Sequence, residues 1–91
     1  MWCSIQLVFM MLEDFNKFIT GDFGDMEVYS DSLEVECSGN YRLLNDVYNW
    51  VENESQGQVT TLENFDGYDT TTVFQKGVKV METPLPQEVC V

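Results

Sequence analysis

The chain has 91 residues, of which 16 are Asp or Glu, 4 are Lys or Arg and none is His, so its formal net charge is -12. A body this negative is repelled by phosphates and by anionic lipid headgroups, which disfavours direct binding to nucleic acid or to a membrane surface. Hydrophobic residues make up 44% of the chain and aromatic residues 13%, a composition that argues against intrinsic disorder. We therefore expect one folded domain covering residues 1–91.

The negative charge is concentrated in the middle of the chain. Between residues 18 and 75 there are twelve acidic residues and a single basic one, Arg42. The other basic residues, Lys17, Lys76 and Lys79, lie outside that stretch. Because internal ion pairs cannot neutralise so many carboxylates, most of them are expected to face water or a binding partner.

The first segment combines features of a helix and of a strand. A set of apolar residues recurs at the spacing of one helical face: Val8, Leu12, Phe15 and Ile19. Ser4 is a suitable N-cap and Gly21 a suitable stop, so we predict a first helix over residues 5 to 20. The nearly continuous apolar run over residues 7–12 is also compatible with a strand in the first part of this segment.

Targeting signals and cysteine usage favour a cytoplasmic protein. The segment before Glu13 has no Lys or Arg, unlike a secretory signal, and its apolar run is too short to span a bilayer. Cys3, Cys37 and Cys90 are widely spaced, form no CxxC pair and have no His beside them for a zinc site. We interpret them as reduced thiols, with Cys37 in the core of a strand, although a bridge between Cys3 and Cys90 stays open.

Two short runs of alternating residues follow, joined by turn-forming residues at positions 30–32. Met26 and Val28 share one face of the first run. In the second run, over residues 33–38, apolar residues alternate with polar ones, and Glu34 and Glu36 are expected on the exposed face. The strand rise places these two residues roughly 6.6 Å apart, close to the step between successive phosphates of a nucleic-acid strand. The pattern predicts a β-hairpin.

The rest of the chain predicts one helix and three strands. Residues 41 to about 54 have one apolar face and one polar face, which indicates a helix capped by Ser38 or Asn40. Segments 59–65, 70–75 and 78–83 are rich in Val, Thr and Phe, and the hairpin signals Asp66-Gly67 and Lys76-Gly77 separate them. The predicted fold is α+β, with two helices packed on an antiparallel sheet of about five strands, made of the hairpin and a three-stranded meander.

The amino-acid composition gives little support for catalysis or for metal binding. Without His, a nucleophilic Cys would lack its usual imidazole partner, and acid-base work would fall mainly to carboxylates. Asp31 with Glu34 and Glu36, or Asp66 with Asp69, offer oxygen ligands for calcium but not in the order of a calcium-binding loop. We expect no enzymatic activity, no cofactor and no dedicated metal site.

In size, net charge and mixed helix and strand layout, the chain resembles the small DNA mimics that phages and mobile elements direct against host nucleases, repair glycosylases, restriction enzymes and CRISPR effectors. The resemblance implies a non-enzymatic inhibitor in the host cytoplasm that occupies the groove of a basic nucleic-acid-binding protein. The acidic residues expected to contact it are Asp31, Glu34, Glu36, Asp46, Glu52, Glu54, Glu63, Asp66 and Asp69. The affinity would also need an apolar anchor, for which the candidates are Trp2, Tyr41, Phe65 and Tyr68.

Other interpretations of the charge stay open at this point. An acidic surface is general in proteins of salt-loving organisms and then says nothing about a partner. The chain is equally compatible with a small acidic structural or assembly subunit of a larger complex, and with a homodimer. Folding in dilute buffer separates the first alternative from a DNA mimic, which should release its partner as the salt concentration rises.

Overall fold

The computed structural model describes residues 2–65 and 68–83. Its elements in chain order are β1 (Trp2–Phe9), α1 (Leu12–Phe18), β2 (Asp25–Tyr29), β3 (Glu34–Asn40), α2 (Arg42–Glu54), β4 (Gln58–Phe65), β5 (Tyr68–Gln75) and β6 (Val78–Thr83). The strands form one antiparallel six-stranded sheet in the order β2-β3-β1-β4-β5-β6. Both helices pack on this sheet, which confirms the predicted α+β fold with six strands rather than about five.

The prediction of a helix over residues 5 to 20 is wrong in its first half, which forms β1. Ile5, Leu7 and Phe9 are buried at every second position, the period of a strand, while the residues between them are half-buried. β1 lies in the middle of the sheet between β3 and β4, so backbone ladders on both sides satisfy its donors and acceptors. The helical part is reduced to α1, and β1 is the additional strand.

Strand register determines which side chains share a face of the sheet. Ile5 lies opposite Cys37 on one side and Glu63 on the other, and residues directly opposite each other in an antiparallel pair point to the same face. We call the face that contains Ile5 the helix-covered face and the opposite one the open face. The buried apolar residues form one core cluster, drawn from the helix-covered face and from both helices: Ile5, Leu7, Phe9, Phe15, Phe18, Val35, Cys37, Leu43, Val47, Val51, Val59 and Phe74.

Helix α2 presents its apolar side to this core, as its sequence pattern predicts. Trp50 meets Phe9 and Phe18 edge-on, with ring centroids 6.2 Å and 5.0 Å apart, so it packs against the core. The N-cap residue of α2 is Tyr41, whose side chain makes no capping hydrogen bond, rather than the predicted Ser38 or Asn40. Asn40 still contributes at this helix start, because its Oδ1 accepts a hydrogen bond from the backbone N–H of Arg42 at 3.0 Å.

The meander runs through β4, β5 and β6, and β6 has the predicted bounds. Lys76 and Gly77 both have positive φ, 53° and 80°, which is the geometry of a type I′ hairpin turn. The predicted turn at Asp66-Gly67 lies outside the described residues. The bulge between β5 and β6 leaves Val80 without an opposite residue, because Val73 pairs with Met81 while Phe74 pairs with Lys79.

Asp14 is a buried carboxylate that joins α1 to the loop after α2. It is 1% exposed, and its oxygens accept hydrogen bonds from the backbone N–H groups of Gln56, at 3.0 and 3.1 Å, and of Gly57, at 2.9 Å. Two backbone donors that have no helical or strand partner are thereby satisfied. Asp14 therefore fixes the distance between the two helices at the end of the sheet where β4 begins.

Replacing Asp14 with Ala should lower the free energy of unfolding by about 2 to 3 kcal/mol, because the buried N–H of Gly57 and the part-buried N–H of Gln56 lose a charged acceptor. Equilibrium urea denaturation measures this loss. Glu13→Ala removes the same charge at the exposed neighbouring position, and its effect should stay within about 0.5 kcal/mol. Equal losses in the two variants would contradict the role given to Asp14.

Candidate functional site

The open face of β2 and β3 carries four carboxylates, those of Asp25, Glu27, Glu34 and Glu36, which we call the acidic sheet patch. Glu27 lies directly opposite Glu36, so their Cβ atoms are about 5 Å apart. Glu34 and Glu36 are two residues apart on the same strand, which spaces them by about 6.8 Å. Like charges in opposite positions destabilise a sheet, so this arrangement has an energetic cost.

Neutral side chains orient the carboxylates of the patch without removing their charge. Gln6 donates from Nε2 to Oε1 of Glu34 at 2.8 Å, and Tyr29 donates from its hydroxyl to Oε1 of Glu27 at 2.8 Å. The hydrogen bond to Glu27 and the negative charge of that carboxylate raise the pKa of Tyr29, and the charges of Glu36 and Glu34 add to the effect. The raised pKa of this exposed phenol reflects the negative potential of the patch.

No ion pair within residues 2–65 and 68–83 involves the patch. The ion pairs in these ranges join Lys17 to Glu54, at 4.0 Å, and Lys79 to Glu82, at 3.1 Å. Both lie away from β2 and β3 and are half-exposed, where such pairs contribute little to stability. No basic side chain in the described ranges therefore neutralises the carboxylates of the patch.

Besides a groove of about 530 Å³ that Glu36 and Asp69 both line, two shallow grooves border the patch. One, of about 280 Å³, is lined by Asp25, Glu27, Glu36 and Ser38. The other, of about 310 Å³, lies between the sheet and the start of α2, and its acidic lining residues are Asp22, Asp25 and Asp46. Gly24, with φ +66°, lets the chain pass against the carbonyl of Ser38 beside this groove. The negative surface thus continues from the sheet to the helix layer.

The structure brings several of the predicted contact residues together. Glu34 and Glu36 lie side by side on the open face, as predicted, and Asp31 is exposed in the turn that joins their strand to β2. Asp46 reaches the same surface through the second groove. Asp69 is also on the open face, where it accepts a hydrogen bond from Asn64 at 2.6 Å, but β5 is three strands, about 14 Å, from β3.

Other predicted residues lie elsewhere. Glu52 and Glu54 are exposed near the end of α2, in the layer on the other side of the sheet. Asp66 lies outside the described residues. Of the predicted apolar anchors, Tyr41 is 65% exposed, whereas the side chains of the other three, Trp2, Phe65 and Tyr68, are outside the described part of the chain.

The prediction did not select Asp22, Asp25 or Glu27 as contact residues. For Asp25 and Glu27 the signal is present in the sequence, because they alternate with Met26 and Val28 just as Glu34 and Glu36 alternate with apolar residues on the next strand. That Glu27 faces Glu36 depends on the pairing of the two strands, which the alternation does not give.

The prediction that Glu63 contributes surface charge is wrong, because its side chain is on the helix-covered face and only 4% exposed. Its Oε2 accepts hydrogen bonds from the hydroxyl of Tyr48 and from Oγ1 of Thr61, the latter at 2.6 Å. Burial raises the pKa of Glu63, and the hydrogen bonds from Thr61 and Tyr48 oppose the shift only in part. Burial also raises the pKa of Tyr48. Glu63 is thus a component of the core.

The two cysteines in the described part of the chain are buried free thiols. Cys3 and Cys37 are buried, and Cys37 is a core residue of a strand as predicted. Burial raises the pKa of Cys37 to about 12, which keeps it in the unreactive thiol form. Cys90 lies outside the described residues. Within the described ranges, no three His, Cys, Asp or Glu side chains are placed to hold a metal ion, and no helix is long and apolar enough to cross a membrane.

The acidic sheet patch offers only hydrogen-bond acceptors, and Arg and Lys side chains can donate to carboxylates as they donate to phosphates. No protein-family model, curated protein or solved structure matches this chain.

The raised pKa of Glu63 predicts a dependence of stability on pH. The folded state holds this proton more tightly than the unfolded chain, so the contribution to stability is present below the ordinary pKa of 4.5 and is lost as the pH rises through the folded pKa. Glu63→Gln keeps an acceptor for Tyr48 and Thr61 but does not titrate. We expect the free energy of unfolding of E63Q, relative to the unsubstituted protein, to increase as the pH rises from about 4 to about 8.

Urea denaturation at several pH values measures this difference. Glu52→Gln, which also removes one carboxylate but at an exposed position, is the matched control. A stability difference for E63Q that stays constant over the whole range, or that follows the control, would show that Glu63 is not the titrating group.

Proposed function

We propose that this chain is a non-enzymatic binding protein that inhibits a basic nucleic-acid-binding protein by occupying its phosphate-binding groove with the acidic sheet patch. The partner class comprises nucleases, glycosylases, restriction enzymes and CRISPR effectors, and the site of action is the cytoplasm in which such enzymes meet DNA. The observation that carries the proposal is the pair formed by Glu27 and Glu36, directly opposite each other with no cation beside them in the described ranges.

A like-charge pair of this kind weakens the isolated fold, and a cationic partner would remove the cost. Cross-strand pairs of equal charge are destabilising, whereas opposite charges in the same positions stabilise a sheet. Arg or Lys side chains placed between Glu27, Glu34 and Glu36 would convert repulsion into attraction. Binding therefore gains from relief of a strain that the free protein already contains.

The rigidity of the sheet supports mimicry of a phosphate backbone. The carboxylates of the patch are on paired strands, and Gln6 and Tyr29 hold two of them by hydrogen bonds, so little conformational entropy is lost when a partner binds. Their spacing along one strand, about 6.8 Å, is close to the step between successive phosphates of a nucleic-acid strand, whereas the spacing across the strands, about 5 Å, is shorter.

An aromatic side chain next to the patch can supply apolar contact. Tyr29 is 45% exposed and lies opposite Glu34 at the end of β2, so its ring is available at the border of the charged surface. Tyr is enriched among the residues that contribute most to binding at protein interfaces. We assign Tyr29 the anchoring role for which the sequence suggested Trp2, Tyr41, Phe65 or Tyr68.

The test compares two variants that lose the same charge from different surfaces. The patch variant is Glu27→Gln, Glu34→Gln and Glu36→Gln together, and the control variant is Glu13→Gln, Glu52→Gln and Glu54→Gln, all exposed on the helix layer. The unsubstituted protein is immobilised, incubated with bacterial lysate and washed with duplex DNA. The DNA should displace a nucleic-acid enzyme. The affinity of this enzyme for the patch variant should be at least about tenfold lower than for the unsubstituted protein, and its affinity for the control variant less than about threefold lower.

Three outcomes would contradict the proposal. The first is that duplex DNA displaces nothing, and the second is that both variants lose affinity equally, which would indicate diffuse attraction by net charge. The third is a chain that folds only in molar salt by circular dichroism, since this would make the acidic surface an adaptation to salt.

A further inference from the structure

Strand β6 forms one edge of the sheet and has no strand on its outer side within residues 2–65 and 68–83. All six of its residues are exposed, with Val78 at 63%, Val80 at 60% and Met81 at 53%. An edge strand presents unpaired backbone donors and acceptors on which another strand can pair. β6 therefore combines a backbone template with exposed apolar side chains.

The opposite edge of the sheet is chemically different. β2 carries Asp25 and Glu27, and charged side chains on an edge strand discourage pairing with another strand. A second copy of the chain would bring the same charges to this edge and would be repelled. In contrast, β6 carries one positive and one negative residue, Lys79 and Glu82, and Lys76 precedes it in the turn.

The bulge places the two charged residues of β6 on one face of the sheet. Glu82 pairs with Thr72 and Lys79 pairs with Phe74, and both of these β5 residues belong to the helix-covered face. Without the bulge, residues three apart would point to opposite faces. Because Val80 is the extra residue, Lys79 and Glu82 come to the same side, where they also form an ion pair of 3.1 Å.

We propose that β6 is a dimerisation edge, which pairs antiparallel with β6 of a second copy of this chain. A two-fold axis between Val80 and Met81 places Lys79 opposite Glu82 of the second copy, and Glu82 opposite its Lys79. It also places Val80 opposite Met81 of the second copy. The charges complement each other in this register, and both Lys79–Glu82 pairs lie on the helix-covered face of the joined sheet because of the bulge.

The overall charge is compatible with this dimer because the acidic sheet patches lie at its far ends. From β3 of one copy to β3 of the other there are nine strand spacings, or about 43 Å. This distance is several times the Debye length of about 8 Å at physiological ionic strength, so repulsion between the patches is screened. Both patches stay accessible, and the dimer would present two of them to basic partners.

Analytical ultracentrifugation of the full chain over a range of protein concentrations measures the dimer dissociation constant. The proposal is tested by comparing the unsubstituted protein with charge-reversal variants of β6. Lys79→Glu and Glu82→Lys should each raise the dimer dissociation constant about tenfold or more, because both symmetry-related pairs become repulsive. An equimolar mixture of K79E and E82K should associate as a heterodimer at least as well as the unsubstituted protein, since both contacts are then between opposite charges. The double variant K79E/E82K should dimerise as well.

The mixture distinguishes the loss of ion pairs between two copies from the loss of the Lys79–Glu82 ion pair within one copy. Each variant in the mixture still lacks its internal pair, so association of the mixture would have to come from the contacts between copies. Lys17→Glu, which changes the net charge as K79E does but at an exposed position of α1, should leave the dissociation constant within about threefold. A protein that is monomeric at all concentrations, a dimer insensitive to both reversals, or a mixture that does not associate would overturn the proposal.

Discussion

The structure depends on the pairing of β1 with β3 on one side and β4 on the other. This central strand places Ile5, Leu7 and Phe9 under the helices, and burial of these three side chains removes a large apolar area from water. Because side chains alternate along a strand, the requirement also fixes the facing of every residue on β3 and β4, and through them on β2 and β5. The core thereby dictates which carboxylates reach the open face.

The acidic residues consequently meet three different environments. Asp14 is buried but satisfied by backbone N–H groups, and Glu63 is buried with a raised pKa beside two hydroxyl donors. Glu27 and Glu36 instead face each other on the open side with no cation nearby in the described part of the chain. The first two arrangements belong to the fold. The third opposes the fold, and in the proposed function a cationic partner would offset its energetic cost.

The two edges of the sheet divide the molecule into surfaces of different chemistry. The β2 edge and its neighbour β3 are uniformly acidic, whereas the β6 edge carries both signs of charge and exposed apolar side chains. The proposed binding of a basic protein and the proposed association of two copies would therefore use opposite ends of the sheet. The length of the sheet, five strand spacings, keeps these two surfaces apart.

The sequence by itself determined the elements that depend on local patterns: the apolar face of α2, the bounds of β6 and the outward facing of Glu34 and Glu36. Periodicity and turn residues act over a few positions and need no knowledge of neighbours. The tertiary structure decided that residues 2–9 form a central strand, that Glu63 is buried and that Glu27 faces Glu36. These features depend on register between segments far apart along the chain, which is fixed only when the sheet assembles around one core.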